Sequence, residues 1–275
     1  MRLPRGGESE SGMNLPGDIN LSMALCVWRR NFTVYRHTWV TNILPNFFEP
    51  VLFLVGMGLG LGVYVGGNMR GQDYVAFIAP GLMASAAMNG ASFEASWNMY
   101  IKMYFSKLYD AYLATPAQMQ DIAFGELLWG TTRALIYGAG FLVVLLGFTL
   151  AGRPILTSWW TLLVPLALAL IGAIFSLMGQ WYTTLINTID LYSYYWTLFL
   201  TPMFLFSGIF FPVSDIPGGT TIAWFTPLFH GVELVRGLCQ GPLELRHLGH
   251  TGYMLAVCAL LLWAVPRRMR KRMVK

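Results

Sequence analysis

Residues 195–236 constrain this chain more than any other stretch. They begin as an apolar segment of membrane-spanning character and break at Ser207-Gly208 and Pro212. A turn follows at Asp215-Ile216-Pro217-Gly218-Gly219, then a short aromatic segment carrying Pro227, His230, Glu233 and Arg236. That second part is too polar and too interrupted to cross a bilayer, yet too apolar for an ordinary water-exposed loop. In hydrocarbon every backbone polar group needs a partner. A broken apolar segment therefore persists at membrane depth only where protein or a water-filled cavity covers it. The pattern predicts an outer re-entrant helical hairpin and points to transport or lipid handling. Phe211 and Pro212 end its incoming arm, and Glu233 and Arg236, three residues apart, share a helical face. His230 reads as a capping or hydrogen-bonding group rather than a catalytic base.

The rest of the chain agrees with a membrane reading. With 56% hydrophobic and 11% charged residues and a mean hydropathy of +0.54, it is no water-soluble globule. Its 275 residues leave room for about six spans of roughly 20 residues, drawn at 43–65, 74–97, 122–150, 159–186, 191–211 and 248–265. The expected fold is all-α and integral to the membrane: a flexible tail over 1–19, an interfacial amphipathic helix over 20–40, a six-span unit over 41–265, and a basic tail over 266–275. The interfacial helix rests on Leu21, Leu25, Trp28, Phe32 and Tyr35, with Arg29, Arg30 and Arg36 on other faces. The first 16 residues show no apolar core, so no cleavable signal is expected. Of the 18 lysines and arginines, only Arg70, Arg153, Arg236 and Arg246 fall on one side, and Arg133 lies within a span. The positive-inside rule then places both termini in the cytoplasm.

Glycines at 56, 58, 60 and 62 lack the strand-turn-helix setting of a nucleotide site; they give two small-xxx-small faces for close helix contact. Pro45 and Pro50 predict a bent approach to the first span, flanking Glu49. After the second span, residues 100–121 predict a short amphipathic helix on the inner face, stopped by Thr115-Pro116. It would offer Tyr104, Phe105, Leu108, Tyr109, Tyr112 and Leu113 to a cytoplasmic partner. Ionisable groups at membrane depth are costly and usually face protein or a water path; here they are Glu49, Glu94, Glu126 and Arg133. Glu126 and Arg133, seven residues apart, share a helical face and read as a structural ion pair or as an interfacial position of Glu126. Cys26, Cys239 and Cys258 have no ligand spacing, and no metal site is expected. No Gly-Lys-Ser/Thr loop, HExxH or GxSxG occurs, so the chain carries no visible energy source or catalytic site of its own.

In order and spacing these segments resemble the membrane permeases of ABC-2 type exporters, especially the subgroup that includes the nodulation lipo-oligosaccharide export permeases. The residues carrying the likeness are 45–52 with the adjoining glycines, Ala79-Pro80-Gly81-Leu82, Phe93-Glu94, Thr115-Pro116, Asp121 and Gly125-Glu126. Ser207-Gly208, Phe211-Pro212, Pro217, Pro227-Leu228, His230, Glu233 and Arg236 complete it. The resemblance implies a bacterial inner-membrane permease that is not itself an enzyme. It implies two copies, most simply a homodimer, with MgATP held by a separate nucleotide-binding ATPase subunit that docks at 104–113. The expected cargo is amphipathic, a lipid-linked oligosaccharide or polysaccharide, with contacts to membrane lipids and none to nucleic acid. Two other readings stand beside it: efflux of small drug-like amphiphiles, and proton-coupled secondary transport through Glu49, Glu94 or Glu126.

Overall fold

The computed structural model describes residues 19–64, 68–69 and 72–273. Helix α1 spans Leu21–Val55 and continues through wide, π-type turns at Gly56–Leu61 into Gly62–Tyr64. The two-residue strands β1 (Asn68–Met69) and β2 (Gln72–Asp73) pair antiparallel. Helix α2 runs Tyr74–Phe93 and carries on through π-type turns at Glu94–Asn98 and Ile101–Phe105. Then come α3 (Leu108–Leu113), α4 (Met119–Leu150) and α5 (Val164–Thr183), the last preceded by a 3-10 turn at Trp159–Leu163. Helix α6 comprises Tyr192–Tyr194, the π-type Tyr195–Leu200 and Thr201–Leu205. The chain closes with α7 (Gly219–Trp224), α8 (Pro227–Gln240) and α9 (Leu245–Met273).

Four of the described helical segments are long and apolar enough to cross a membrane: Tyr74–Phe105, Met119–Leu150, Trp159–Thr183 and Leu245–Arg272. The first is central, and nearly all of its residues are buried against α1, α4, α5 and α8. The last is peripheral and mostly exposed, as suits a lipid-facing helix.

Two expectations change at α1. The interfacial helix and the first span are one continuous helix, because no Gly or Pro interrupts residues 20–44. Its 35 residues extend roughly 50 Å at about 1.5 Å each, well beyond the ~30 Å hydrocarbon core. Asn20 starts it by accepting the Ser22 and Met23 N–H groups. The buried face is also not the large apolar one. Ala24, Val27, Asn31 and Tyr35 are buried, whereas Leu21, Leu25 and Phe32 are exposed. Small residues face α4 because the two backbones come close: a Cβ on Gly125 would lie 2.7 Å from the Ala24 carbonyl oxygen. The larger side chains are left for lipid. The helix takes in Pro45 and Pro50, but the side chains of residues 40–47, 49 and 50, Glu49 among them, lie outside the described residues.

The glycine run divides its faces. A Cβ on Gly58 would meet Val75 at 3.1 Å and one on Gly62 would meet Tyr74 at 3.6 Å, while Gly56 and Gly60 have open space around them. The fifth expected span, 191–211, is helical only to Leu205, which leaves 192–205 about 20 Å long. The chain then reverses at Gly208, whose φ of +76° suits only glycine and where a Cβ would sit 2.9 Å from Val213. Ile209 comes next, fully buried against Gly81 of α2. The stop in the fifth segment is therefore a packed turn, held by protein on both sides.

Candidate functional site

A cleft of about 530 Å³ opens between α1, α2 and α6. Phe53, Phe93, Trp97, Trp196 and Phe204 supply aromatic wall, and Ser85, Asn89, Ser193 and Thr201 supply polar groups. One rim is closed by rings of α1 and α6: Phe53 lies 6.0 Å from Phe204 and 6.1 Å from Phe210, and Phe204 stacks edge-on against Phe210 at 5.2 Å. The floor is held by Trp97 on Tyr192 at 5.5 Å. Aromatic faces with interspersed hydroxyl and amide groups suit a ligand with both apolar and hydroxyl-rich parts. None of these lining residues was singled out from the sequence as a site; three separate helices bring them together.

Beside the cleft, α2 and α4 share a buried charge network. Lys102 Nζ lies 2.9 Å from Glu94 Oε1 and 2.8 Å from Glu126 Oε2, with all three side chains nearly buried. Arg133 Nε stands 3.8 Å from Glu94 Oε2, its guanidinium lies over the Tyr35 and Tyr137 rings, and Nη2 donates to the Tyr137 hydroxyl at 2.6 Å. Asn98 donates to the other side of Glu94 at 2.8 Å. The Glu126–Arg133 pair expected from spacing is thus corrected: Glu126 pairs with Lys102, and Arg133 reaches Glu94 on the neighbouring helix. Lys102 was missed because residues after Trp97 read as a cytoplasmic loop, whereas the helix continues to Phe105.

Next to the network, Tyr109 of α3 is fully buried against the N-terminal end of α4. Burial first, and the Glu126 carboxylate second, hold its phenol well above its ordinary pKa, so it stays a neutral donor. Of the six residues expected to dock a partner, Tyr104 and Phe105 are exposed at the end of α2. Leu108, Tyr112 and Leu113 instead pack inward on the cluster of Met99, Met103, Ile122 and Met269. Between the two groups Lys107 adopts a left-handed φ of +48°, turning the chain sharply. Arg272, read from sequence only as tail charge, binds this corner together. It donates to the Tyr104 hydroxyl, the Thr184 and Ile186 carbonyls and Asn187 Oδ1.

At the opposite end, α8 carries Arg236 into the packed turn. Its guanidinium donates to Glu233 at 2.5 Å and to the Gly208 carbonyl at 2.8 Å, and it lies 4.3 Å from the Phe77 ring centre. One arginine thereby ties α8 to its own helix, to the α6–α7 turn and to α2. His230 Nε2 meets the Trp224 carbonyl at 2.8 Å, and Nδ1 meets Nδ1 of His250 on α9 at 2.7 Å, with Tyr253 stacked on the ring. Phe211 and Pro212 lie in the turn, and Pro227 opens α8 at its first residue.

Residues 24–239 match the family model described as ABC-2 type transporter. The chain is 33% identical over 255 residues to "Nodulation protein J" of Rhizobium leguminosarum bv. trifolii, covering 91% of this chain and 94% of that protein. It is 36% identical over 243 residues to the protein of that name from Sinorhizobium fredii, covering 88% of each. The "Inner membrane transport permease YadH" of Escherichia coli is 25% identical over 191 residues, 70% of this chain and 72% of that protein. The matched region takes in most of α1, the cleft, the charge network and the whole of the turn that Arg236 holds, and the chain belongs to the ABC-2 type transporter family.

Proposed function

We propose that the chain is the permease subunit of an ATP-driven exporter. It would work as two copies with a separate nucleotide-binding subunit that holds MgATP, and move an amphipathic cargo outward across a bacterial inner membrane. The cargo class that fits best is an acylated or lipid-linked oligosaccharide. The observation that carries this reading is the cleft between α1, α2 and α6, where stacking surfaces for sugar rings or acyl chain alternate with hydroxyl and amide groups. The printed name of the Escherichia coli relative, an inner membrane transport permease, supports the transport part of this reading. Helix α1 and the short α6 add two crossings to the four long apolar helices. In this reading α7 and α8 form the outer re-entrant hairpin, and separation of Phe53 from Phe204 opens the cleft.

The test is reconstitution with the nucleotide-binding subunit in proteoliposomes, monitoring ATP-dependent export of an acylated oligosaccharide. Trp196→Ala and Asn89→Leu are expected to lower the export rate roughly three- to tenfold, the worth of one stacking or hydrogen-bonding contact, with Tm little changed. Export driven by a pH gradient without ATP would instead support the proton-coupled reading. Equal rates for a small uncharged drug and the oligosaccharide would support the efflux reading.

The docking surface can be located from exposure. Phe105→Asp places a charge on the outward surface beside Lys107 and Asp110, and is expected to cut co-purification of the nucleotide-binding subunit at least ~tenfold while the permease stays monodisperse. Leu108→Asp disturbs inward packing and is expected to reduce both. Unchanged co-purification with Phe105→Asp moves the docking surface elsewhere. Orientation is checked with Cys26, Cys239 and Cys258 replaced and single cysteines introduced. Position 107 is expected to label from the cytoplasmic side and position 153 from the outside; the reverse pattern overturns the assignment.

A further inference from the structure

A second cavity, of about 270 Å³, lies between α1, α2 and α4 at the end of the molecule that carries α3. Arg30, Asn31, Tyr35, Lys102 and Arg133 line it, with Glu94 among them. The carboxylate offers little to a ligand, because Lys102 takes its Oε1 and Asn98 its Oε2. Donors are in the opposite condition. Arg30 Nη1 donates to Asn31 Oδ1 at 3.2 Å, which fixes the amide with its nitrogen turned away from Arg30. Among the described residues no acceptor reaches that nitrogen, although Asn31 is only 4% exposed. The buried Tyr35 hydroxyl is in the same position, and Arg133 Nε, at 3.8 Å from Glu94, lies beyond hydrogen-bonding reach. Buried donors are almost always filled in native proteins. Three donors of three kinds thus line one cavity, with an arginine at its mouth and its own acceptors occupied.

We propose that this cavity binds a phosphate group. A phosphate presents several anionic acceptor oxygens at once, and charge-assisted bonds to guanidinium and amide donors are the strong class. The rim indicates how such a group arrives. Val34 and Ile101 line the cavity and are exposed, one on α1 and one on the continuation of α2. An anionic lipid of the adjoining leaflet can therefore rest its chains against Val34 and Ile101 and place its headgroup inside, with Arg30 closing over it. Free phosphate shares the chemistry without the chains. The inference stands apart from the cargo reading, since it concerns a cavity separate from the cleft and needs no transport measurement.

The experiment uses the purified, delipidated full chain in detergent, titrated separately with phosphatidylglycerol, diacylglycerol and inorganic phosphate. Bound ligand is read by native mass spectrometry and Tm by thermal unfolding. Phosphatidylglycerol is expected to be retained and to raise Tm, and diacylglycerol to do neither. Asn31→Asp, which sets a carboxylate against the anion, and Asn31→Leu, which removes the donor, are each expected to weaken retention about tenfold, the worth of one charge-assisted hydrogen bond. The leucine variant keeps the readout available should the aspartate variant fail to fold. Stabilisation by millimolar inorganic phosphate that is lost in Asn31→Asp would identify the free anion as a ligand; retention of the lipid alone identifies the headgroup. Equal retention of phosphatidylglycerol and diacylglycerol, or equal retention by wild type and both variants, overturns the proposal.

Discussion

Methionine in place of Lys102 is expected to lower stability by roughly 3–5 kcal/mol, the usual cost of removing one partner from a buried ion pair. That is a large share of the roughly 5–15 kcal/mol typical of a folded protein. The reason is geometric: Lys102 is the bridge between Glu94 and Glu126, whose side chains are 5% and 2% exposed. Without it two carboxylates face each other in a site where ionised groups are expensive. The sharper test is the rescue. Lys102→Met/Glu126→Gln leaves Glu94 with Arg133 and Asn98, so most of the lost Tm and monodisperse yield is expected to return. A single variant that behaves like wild type, or a double variant no better than the single, would show that Lys102 does not hold the two helices together.

Arg236→Ala comes second in size. The side chain is buried and is attached to Glu233, to the Gly208 and Phe77 carbonyls and to the Phe77 ring. Its removal takes a close partner from Glu233, whose side chain is 14% exposed, and releases the turn that ends α6. We expect a loss of about 2–4 kcal/mol and a loss of export larger than the fall in folded protein explains, because the turn sets where α6 stands beside the cleft. Glu233→Ala/Arg236→Ala is expected to be milder than the sum of the single changes, since the two side chains pair directly and either single change already removes that shared contact. Strict additivity in Tm, or export falling only in proportion to folded yield, would reduce the pair to an ordinary exposed contact.

Much of the helical order was legible because apolar runs are a composition-level signal, and the break at Ser207-Gly208 was legible because Gly and Pro act locally. The charge network was only half legible. Glu94, Glu126 and Arg133 stand out in apolar surroundings, but Lys102 does not, lying among polar and aromatic residues that end a hydropathy window. Its role depends on π-type turns, each of which inserts a residue and rotates the downstream helix by about 100°, and no spacing rule announces them. The large apolar residues of α1 misled for a related reason: in lipid they favour the outside, and Ala24 and Val27 take the packed face instead. His250, twenty residues beyond His230, and the cleft lining depend on contacts between helices, which periodicity within one helix cannot supply.

The grip of Arg272 on Tyr104 has a consequence for how the molecule is made. The two residues are 168 positions apart, so at ribosomal rates of about 5–20 residues per second the C-terminal end of the α2 segment waits roughly 10–30 s for its clasp. Throughout that interval Tyr104 and Phe105 hang beneath a bundle whose last helix does not yet exist. A nucleotide-binding subunit that reads the finished corner would therefore ignore nascent chains and join only completed ones. The clasp would serve as a proofreading mark for assembly, quite apart from any part it plays in transport.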